Sequence, residues 1–130
     1  MQNNYGFGKS VPIPFAQAVD RVTQELAKEG FGVLTDIDVS ATMKKKLDLD
    51  FRNYRILGAC NPPFAAQALD AEASIGLLVP CNVVVRQDAG GAVHVEFLDP
   101  LPLFRLTGRA AVEPLANEVR ARLVRVMNAL

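Results

Sequence analysis

The sequence predicts an α+β fold, a two-layer sandwich in which two long helices cover one face of a mostly antiparallel sheet. Two segments, 15–26 and 112–130, repeat apolar residues every three or four positions, as amphipathic helices do. Between them lie short apolar segments separated by Gly, Pro and Asn, a pattern typical of strands and turns. Each helix needs a cover for its apolar face, and a sheet supplies it. Residues 1–130 are therefore expected to form a single domain.

The first long helix has clear boundaries in the sequence. A short strand is predicted over 5–11, and it ends at a Pro-Ile-Pro segment. Pro14 suits the first turn of a helix, because the N–H that proline lacks has no partner there. The apolar spacing then continues over 15–26, and Gly30 favours the end of the helix.

Two strands and two short helices are predicted in the middle of the chain. Segments 31–39 and 51–59 are expected to be strands, and the first carries the apolar residues Phe31, Val33, Leu34 and Ile37. Ser40 is expected to cap a short helix that ends at Leu47. The Asn61-Pro62-Pro63 sequence ends the third strand and begins another short helix.

A strand hairpin is predicted before the last helix. Segment 75–86 is the most apolar part of the chain, although Pro80 interrupts it. The turn residues of 88–91 connect it to 92–98, in which Val and Phe alternate with polar residues. Residues 99–102, Asp-Pro-Leu-Pro, are predicted to be a loop, because proline is unsuited to a central strand.

This arrangement predicts one uncovered sheet face. If both long helices pack on the same side of the sheet, the opposite side is solvated, covered by a ligand, or buried by a second subunit. The sequence thus points to a surface for a partner rather than to a catalytic centre.

Composition excludes several functional classes. Half of the residues are hydrophobic, and 14 Lys and Arg balance 14 Asp and Glu, which is unlike a disordered chain. The zero net charge argues against nucleic-acid binding, which starts from a basic surface. No apolar run approaches the roughly 18 residues that a membrane helix needs. Residues 1–5 lack the features of a signal peptide, so we expect a cytoplasmic protein without a membrane partner.

Three segments carry a resemblance to a known family. They are Gly-Phe-Gly-Val-Leu-Thr-Asp-Ile-Asp-Val at 30–39, Tyr-Arg-Ile-Leu-Gly-Ala-Cys-Asn-Pro-Pro at 54–63, and Leu-Leu-Val-Pro-Cys-Asn-Val-Val-Val at 77–85. In this order and spacing the chain resembles the bacterial and archaeal domain-of-unknown-function 302 family. The resemblance implies a TATA-binding-protein-like fold, with the order strand, helix, four strands, helix, and a homodimer. It implies no established reaction.

Two Cys-Asn pairs, Cys60-Asn61 and Cys81-Asn82, are the most suggestive chemical feature. A reduced thiol beside amide groups is able to act as a nucleophile, a soft metal ligand or a redox sensor if its pKa is lowered. The alternative is packing, since free cysteine behaves as a small hydrophobic residue. Strand alternation places Cys81 with buried valines, which favours packing there.

Other polar residues give weaker indications. His94 and Glu96 share one face of the predicted hairpin, as a general acid and base pair would, but an exposed histidine is the simpler interpretation. Asp36 and Asp38 share a strand face and indicate either a cation site or a solvated edge. The basic run at 44–46 is interpreted as a solvated helix face. Nucleotide-binding and serine-hydrolase motifs are absent.

We therefore expect a homodimeric small-ligand-binding or regulatory domain, without catalytic machinery, cofactor or metal. Pockets for small molecules combine apolar walls with a few polar groups. Arg55, Asn61 and Asn82 are the candidate polar groups, beside Cys60 and Cys81. The alternative is a thiol-dependent enzyme or redox protein that uses Cys60 and also, in one version, Cys81.

Overall fold

Five strands and five α-helices make up residues 3–130, the part of the chain that this computed structural model describes. In chain order they are β1 (Gly6–Val11), α1 (Phe15–Lys28), β2 (Gly32–Asp38), α2 (Val39–Leu47), β3 (Tyr54–Cys60), α3 (Pro62–Ala71), β4 (Cys81–Gln87), β5 (Val93–Leu98), α4 (Pro100–Arg105) and α5 (Glu113–Asn128). Two 3-10 turns, Ala73–Leu77 and Ala110–Val112, precede β4 and α5. No helix within residues 3–130 is long and apolar enough to cross a membrane.

The five strands form one sheet in the order β1-β5-β4-β3-β2, and each neighbouring pair is antiparallel. Strands β3 and β4, which carry the two Cys-Asn pairs, are direct neighbours. Ala59 lies opposite Cys81 in their register, so both cysteines come to the same end of the sheet.

Helices α1 and α5 pack on one face of the sheet. Val22 and Leu26 of α1 and Leu123 of α5 are completely buried against it. The inward-facing strand residues of this core are Val11, Leu57, Ala59, Cys81, Val83, Val85, Val93, Val95 and Phe97. The predicted two-layer α+β sandwich is confirmed. The TATA-binding-protein-like label stays a prediction.

The end of α1 determines where β2 begins. Gly30 has a φ of 87°, the left-handed conformation that glycine adopts at little cost. Its N–H donates to the Ala27 carbonyl at 3.1 Å, and the Phe31 N–H donates to the Leu26 carbonyl at 3.0 Å. This pair of bonds is a Schellman motif. It turns the chain so that the Phe31 ring is buried beside the sheet.

The cap of α2 differs from the sequence prediction. Asp38, not Ser40, accepts the hydrogen bond from the Ala41 N–H, at 2.9 Å. Ser40 lies inside the helix and donates instead to the Phe51 carbonyl, at 2.9 Å. Both residue types cap helices, and the position of Asp38 at the end of β2 decides between them.

The predicted loop at 99–102 is wrong, because this segment begins α4. Asp99 is the cap, and its Oδ1 accepts from the Leu101 N–H at 3.1 Å. Pro100 lies in the first turn, where the absence of an N–H costs no hydrogen bond. The short helix buries Phe104.

Strand boundaries also shift from those predicted. β3 starts at Tyr54 rather than at residue 51. In the apolar segment 75–86, Ile75 is buried in a 3-10 turn, and the strand begins only after Pro80, at Cys81.

Within residues 3–130, the opposite face of the sheet has no buried core of its own. Ile56 and Val84, which lie side by side near its centre, are half-buried, and Ile37 is 48% exposed. We refer to the side that these residues share as the open face.

Candidate ligand-binding cavity

A cavity of about 250 Å³ lies where β3 ends and β4 begins. We call it the end cavity. Its walls come from these two strand ends, from the chain after α1, and from α3, α4 and α5. Among the residues that line it are Phe31, Cys60, Asn61, Phe64, Cys81 and Phe104.

The turn from β3 into α3 forms one wall. Asn61 follows Cys60 directly and has an extended backbone, with φ −104° and ψ 100°. Pro62 is the first residue of α3, a position that proline favours. The helix therefore starts one residue past the strand and presents Phe64 and Ala65 to the cavity.

The wall is almost entirely apolar. Three phenylalanines, Phe31, Phe64 and Phe104, contribute to it, and no charged side chain of residues 3–130 does. Apart from the thiols, Asn61 is the only polar side chain among the described residues that line the cavity. A charged ligand would lose hydration in this cavity and find no charged side chain of the described residues to compensate for the loss, so the cavity favours an uncharged ligand.

Asn61 is held by the end of α1. Its Nδ2 donates to the Glu29 carbonyl at 3.2 Å, and Arg122 Nη1 donates to the same oxygen at 2.9 Å. The Arg122 guanidinium lies over the Phe64 ring, 5.0 Å from its centroid. Helices α1, α3 and α5 are thus tied together behind one wall of the cavity.

The two cysteines differ in burial. Cys81 is buried, and burial, with a smaller contribution from neighbouring Cys60, raises the pKa of its thiol to about 12. A thiol with this pKa carries almost no thiolate at neutral pH. Cys60 is half-buried on the cavity wall. Cys60 is therefore the better candidate for any thiol chemistry.

Two of the residues predicted for the site lie elsewhere. Arg55 makes a two-pronged ion pair with Asp36 of β2, and its hydrogen bond holds the pKa of Asp36 below its usual value. Asn82 is exposed, because it alternates with the buried residues Cys81 and Val83 along β4. The structure thus brings Cys60, Asn61 and Cys81 together and separates Arg55 and Asn82 from them.

His94 and Glu96 do not form the acid and base pair considered from the sequence. Glu96 binds Arg86 at 2.7 Å. His94 Nε2 lies 2.8 Å from Asp88 Oδ2, and its Nδ1 lies 3.3 Å from Ser10 Oγ. The hydrogen bond with His94 holds the pKa of Asp88 below its usual value. This chain of bonds ties the β4–β5 turn to the edge strand β1 and lies outside the end cavity.

The remaining acidic and basic candidates are surface groups. Lys44, in the basic run, pairs with exposed Asp48 at 2.9 Å. Asp36 and Asp38 are engaged by Arg55 and by the α2 cap. Within residues 3–130, no three His, Cys, Asp or Glu side chains come together as metal ligands would.

The protein is thus an antiparallel α+β sandwich with an apolar cavity at one end of its sheet. A family model described as Domain of unknown function DUF302 matches residues 7–130, and the chain belongs to this family. The resemblance seen in the three sequence segments is confirmed.

One solved structure illustrates the similarity. It is the crystal structure of an uncharacterized conserved DUF302 protein from Bacillus stearothermophilus. The two chains are 27% identical, with a TM-score of 0.89, and the match covers 98% of each. No curated protein matches the chain.

The three cavity phenylalanines were not among the residues predicted for the site. Apolar residues on a cavity wall and in a packed core have the same periodicity, so the sequence does not separate them. The Asn-Pro-Pro sequence at 61–63 was the available signal, because it places a polar group where a strand ends and a helix starts.

Proposed function

We propose that the protein binds a small, uncharged, mostly apolar molecule in the end cavity. The observation that carries this proposal is a space of about 250 Å³ with an apolar lining. An engineered apolar cavity of about 150 Å³ binds benzene, so this one has room for a somewhat larger molecule. Leu34 and Leu69 line the cavity and are 67% and 45% exposed, which gives an apolar ligand a favourable entrance.

The proposal includes a homodimer in which a second copy covers the open face. Ile56 and Val84 are half-buried there and gain further burial from a partner. Arg86 and Glu96 already bind each other at 2.7 Å within the chain. Two such faces are therefore able to meet without burying either of these charges unpaired.

A matched pair of variants tests ligand binding. Ala65 lines the cavity and is half-buried, whereas Ala66, the next residue of α3, is exposed and does not line it. Ala65→Phe fills part of the cavity, so we expect naphthalene to bind at least about tenfold more weakly, a loss of about 1.4 kcal/mol. Shifts of the protein's methyl NMR signals on titration with naphthalene measure the affinity.

Ala66→Phe is the control and is expected to bind like the wild type. Both variants carry the same added ring on the same helix, so a general effect on α3 would change both. Equal affinities for all three proteins, or no binding to the wild type, would refute the proposal.

A second candidate, thiol chemistry at Cys60, has its position on the cavity wall in its favour. In the folded protein we expect N-ethylmaleimide to modify Cys60 and to leave Cys81 unmodified, because thiolate is the reactive form. Naphthalene should slow the modification of Cys60 if it fills the same space. Both cysteines lie in one tryptic peptide, 56–86, so its fragmentation in the mass spectrometer assigns the modified residue. Modification of Cys81 at the same rate, or of neither cysteine, would count against this candidate.

A further inference from the structure

The orientation of the Asn61 amide follows from its hydrogen bond. The Glu29 carbonyl oxygen only accepts, so the Asn61 side chain must present its NH₂ group to it, at 3.2 Å. The other end of the amide is then the acceptor Oδ1. Within residues 3–130 no donor bonds to this oxygen.

The Asn61 Oδ1 is nevertheless accessible. Asn61 is only 6% exposed, yet no fully buried side-chain N or O atom of the described residues lacks a hydrogen-bond partner. Open space must therefore adjoin Oδ1. The end cavity, which Asn61 lines, is the space that we assign to Oδ1. The cavity thus contains one side-chain amide acceptor in an otherwise apolar wall.

The rest of the wall favours an aromatic ligand. Phe31, Phe64 and Phe104 line the cavity, and aromatic rings make favourable stacked or edge-to-face contacts with a second ring. Cys60 and Cys81 add two polarisable sulfur atoms, and sulfur makes favourable contacts with aromatic rings. A saturated ligand of the same volume would gain neither type of contact.

We propose that the ligand is a small aromatic molecule with a single N–H or O–H donor, of the indole or phenol type. Asn61 selects it by accepting that donor. This inference rests on the proposed ligand-binding function and names the chemical class of the ligand. A ligand without a donor leaves Oδ1 unsatisfied when it displaces water, and a second strong polar group finds no partner.

Three related bicyclic compounds, of which 1-methylindole is larger by one methyl group, test the inference on the wild-type protein. Indole has a ring N–H, indene has a CH₂ in its place, and 1-methylindole has its nitrogen blocked. We expect indole to bind about tenfold more tightly than either of the others, in line with one hydrogen bond to a buried acceptor. Methyl NMR titrations give the three affinities.

The variant Asn61→Leu removes the acceptor and should bind indole and indene within about twofold of each other. Its thermal unfolding is measured first, and if it does not fold the three wild-type affinities decide alone. Equal affinities of the wild type for all three compounds would overturn the role of Asn61 while leaving the proposed function intact. Absence of binding by these compounds and by naphthalene would overturn both.

Discussion

Replacing Leu57 with alanine is expected to lower the free energy of unfolding by about 2–5 kcal/mol, the range for a large side chain removed from a packed core. Leu57 is 1% exposed and lies in the central part of β3, beneath the two long helices. The variant loses the transfer free energy of the side chain and leaves a space that its neighbours fill only in part. Urea unfolding measures the change.

The next residue of the same strand is the control and also tests the homodimer. Ile56 points to the open face and is half-buried, so Ile56→Ala is expected to cost less than Leu57→Ala in the isolated chain. If a second copy covers this face, the cost of Ile56→Ala grows with protein concentration, because dimerisation stabilises the folded state by mass action. The predicted dimer would be contradicted if the loss of stability in Ile56→Ala did not depend on protein concentration and the wild type were a monomer in sedimentation equilibrium.

Alkaline pH is expected to destabilise the protein through Cys81. Its pKa is raised from 9.0 to about 12 in the folded state. Below pH 9 the thiol is protonated in both the folded and the unfolded state, and its contribution to the free energy of unfolding is fully present. Above pH 9 the unfolded chain ionises first, so stability falls until the folded pKa is reached. Between pH 8 and pH 10 the loss from this one group is about 1.4 kcal/mol.

The variant Cys81→Val isolates this effect, because it removes the thiol and keeps the position apolar. The wild type should lose about 1.4 kcal/mol more than this variant between pH 8 and pH 10 in urea unfolding at each pH. Cys60→Val is the matched control at the half-buried thiol. Parallel pH profiles for the wild type and Cys81→Val would show that the Cys81 thiol ionises equally in both states.

The parts of the fold that the sequence predicted are those with a regular apolar period. Helices α1 and α5 and the hairpin of β4 and β5 follow from such periods, and Gly30 marks the turn after α1. Helix α4 was missed because two prolines in four residues also suit a loop. The hydrogen bond that Asp99 accepts from the Leu101 N–H and the burial of Phe104 distinguish a helix there.

The site was predicted less completely, since it depends on contacts between distant segments. Cys60, Asn61 and Cys81 meet because β3 and β4 are neighbours, and the sequence did not reveal whether the two Cys-Asn pairs come together. Arg55 was expected with them but pairs with Asp36, 19 residues earlier in the chain. That pairing depends on the β2–β3 register, which shifts between Val33 and Thr35. Local sequence patterns do not reveal such a shift.

We expect the end cavity to be an apolar space that binds an apolar ligand. Diffraction from crystals held under xenon pressure tests it most directly, because xenon enters apolar cavities. We predict a strong xenon peak between the rings of Phe31, Phe64 and Phe104, and its loss in crystals of Ala65→Phe. A cavity without xenon, occupied instead by ordered water bonded to polar groups, would contradict the claim.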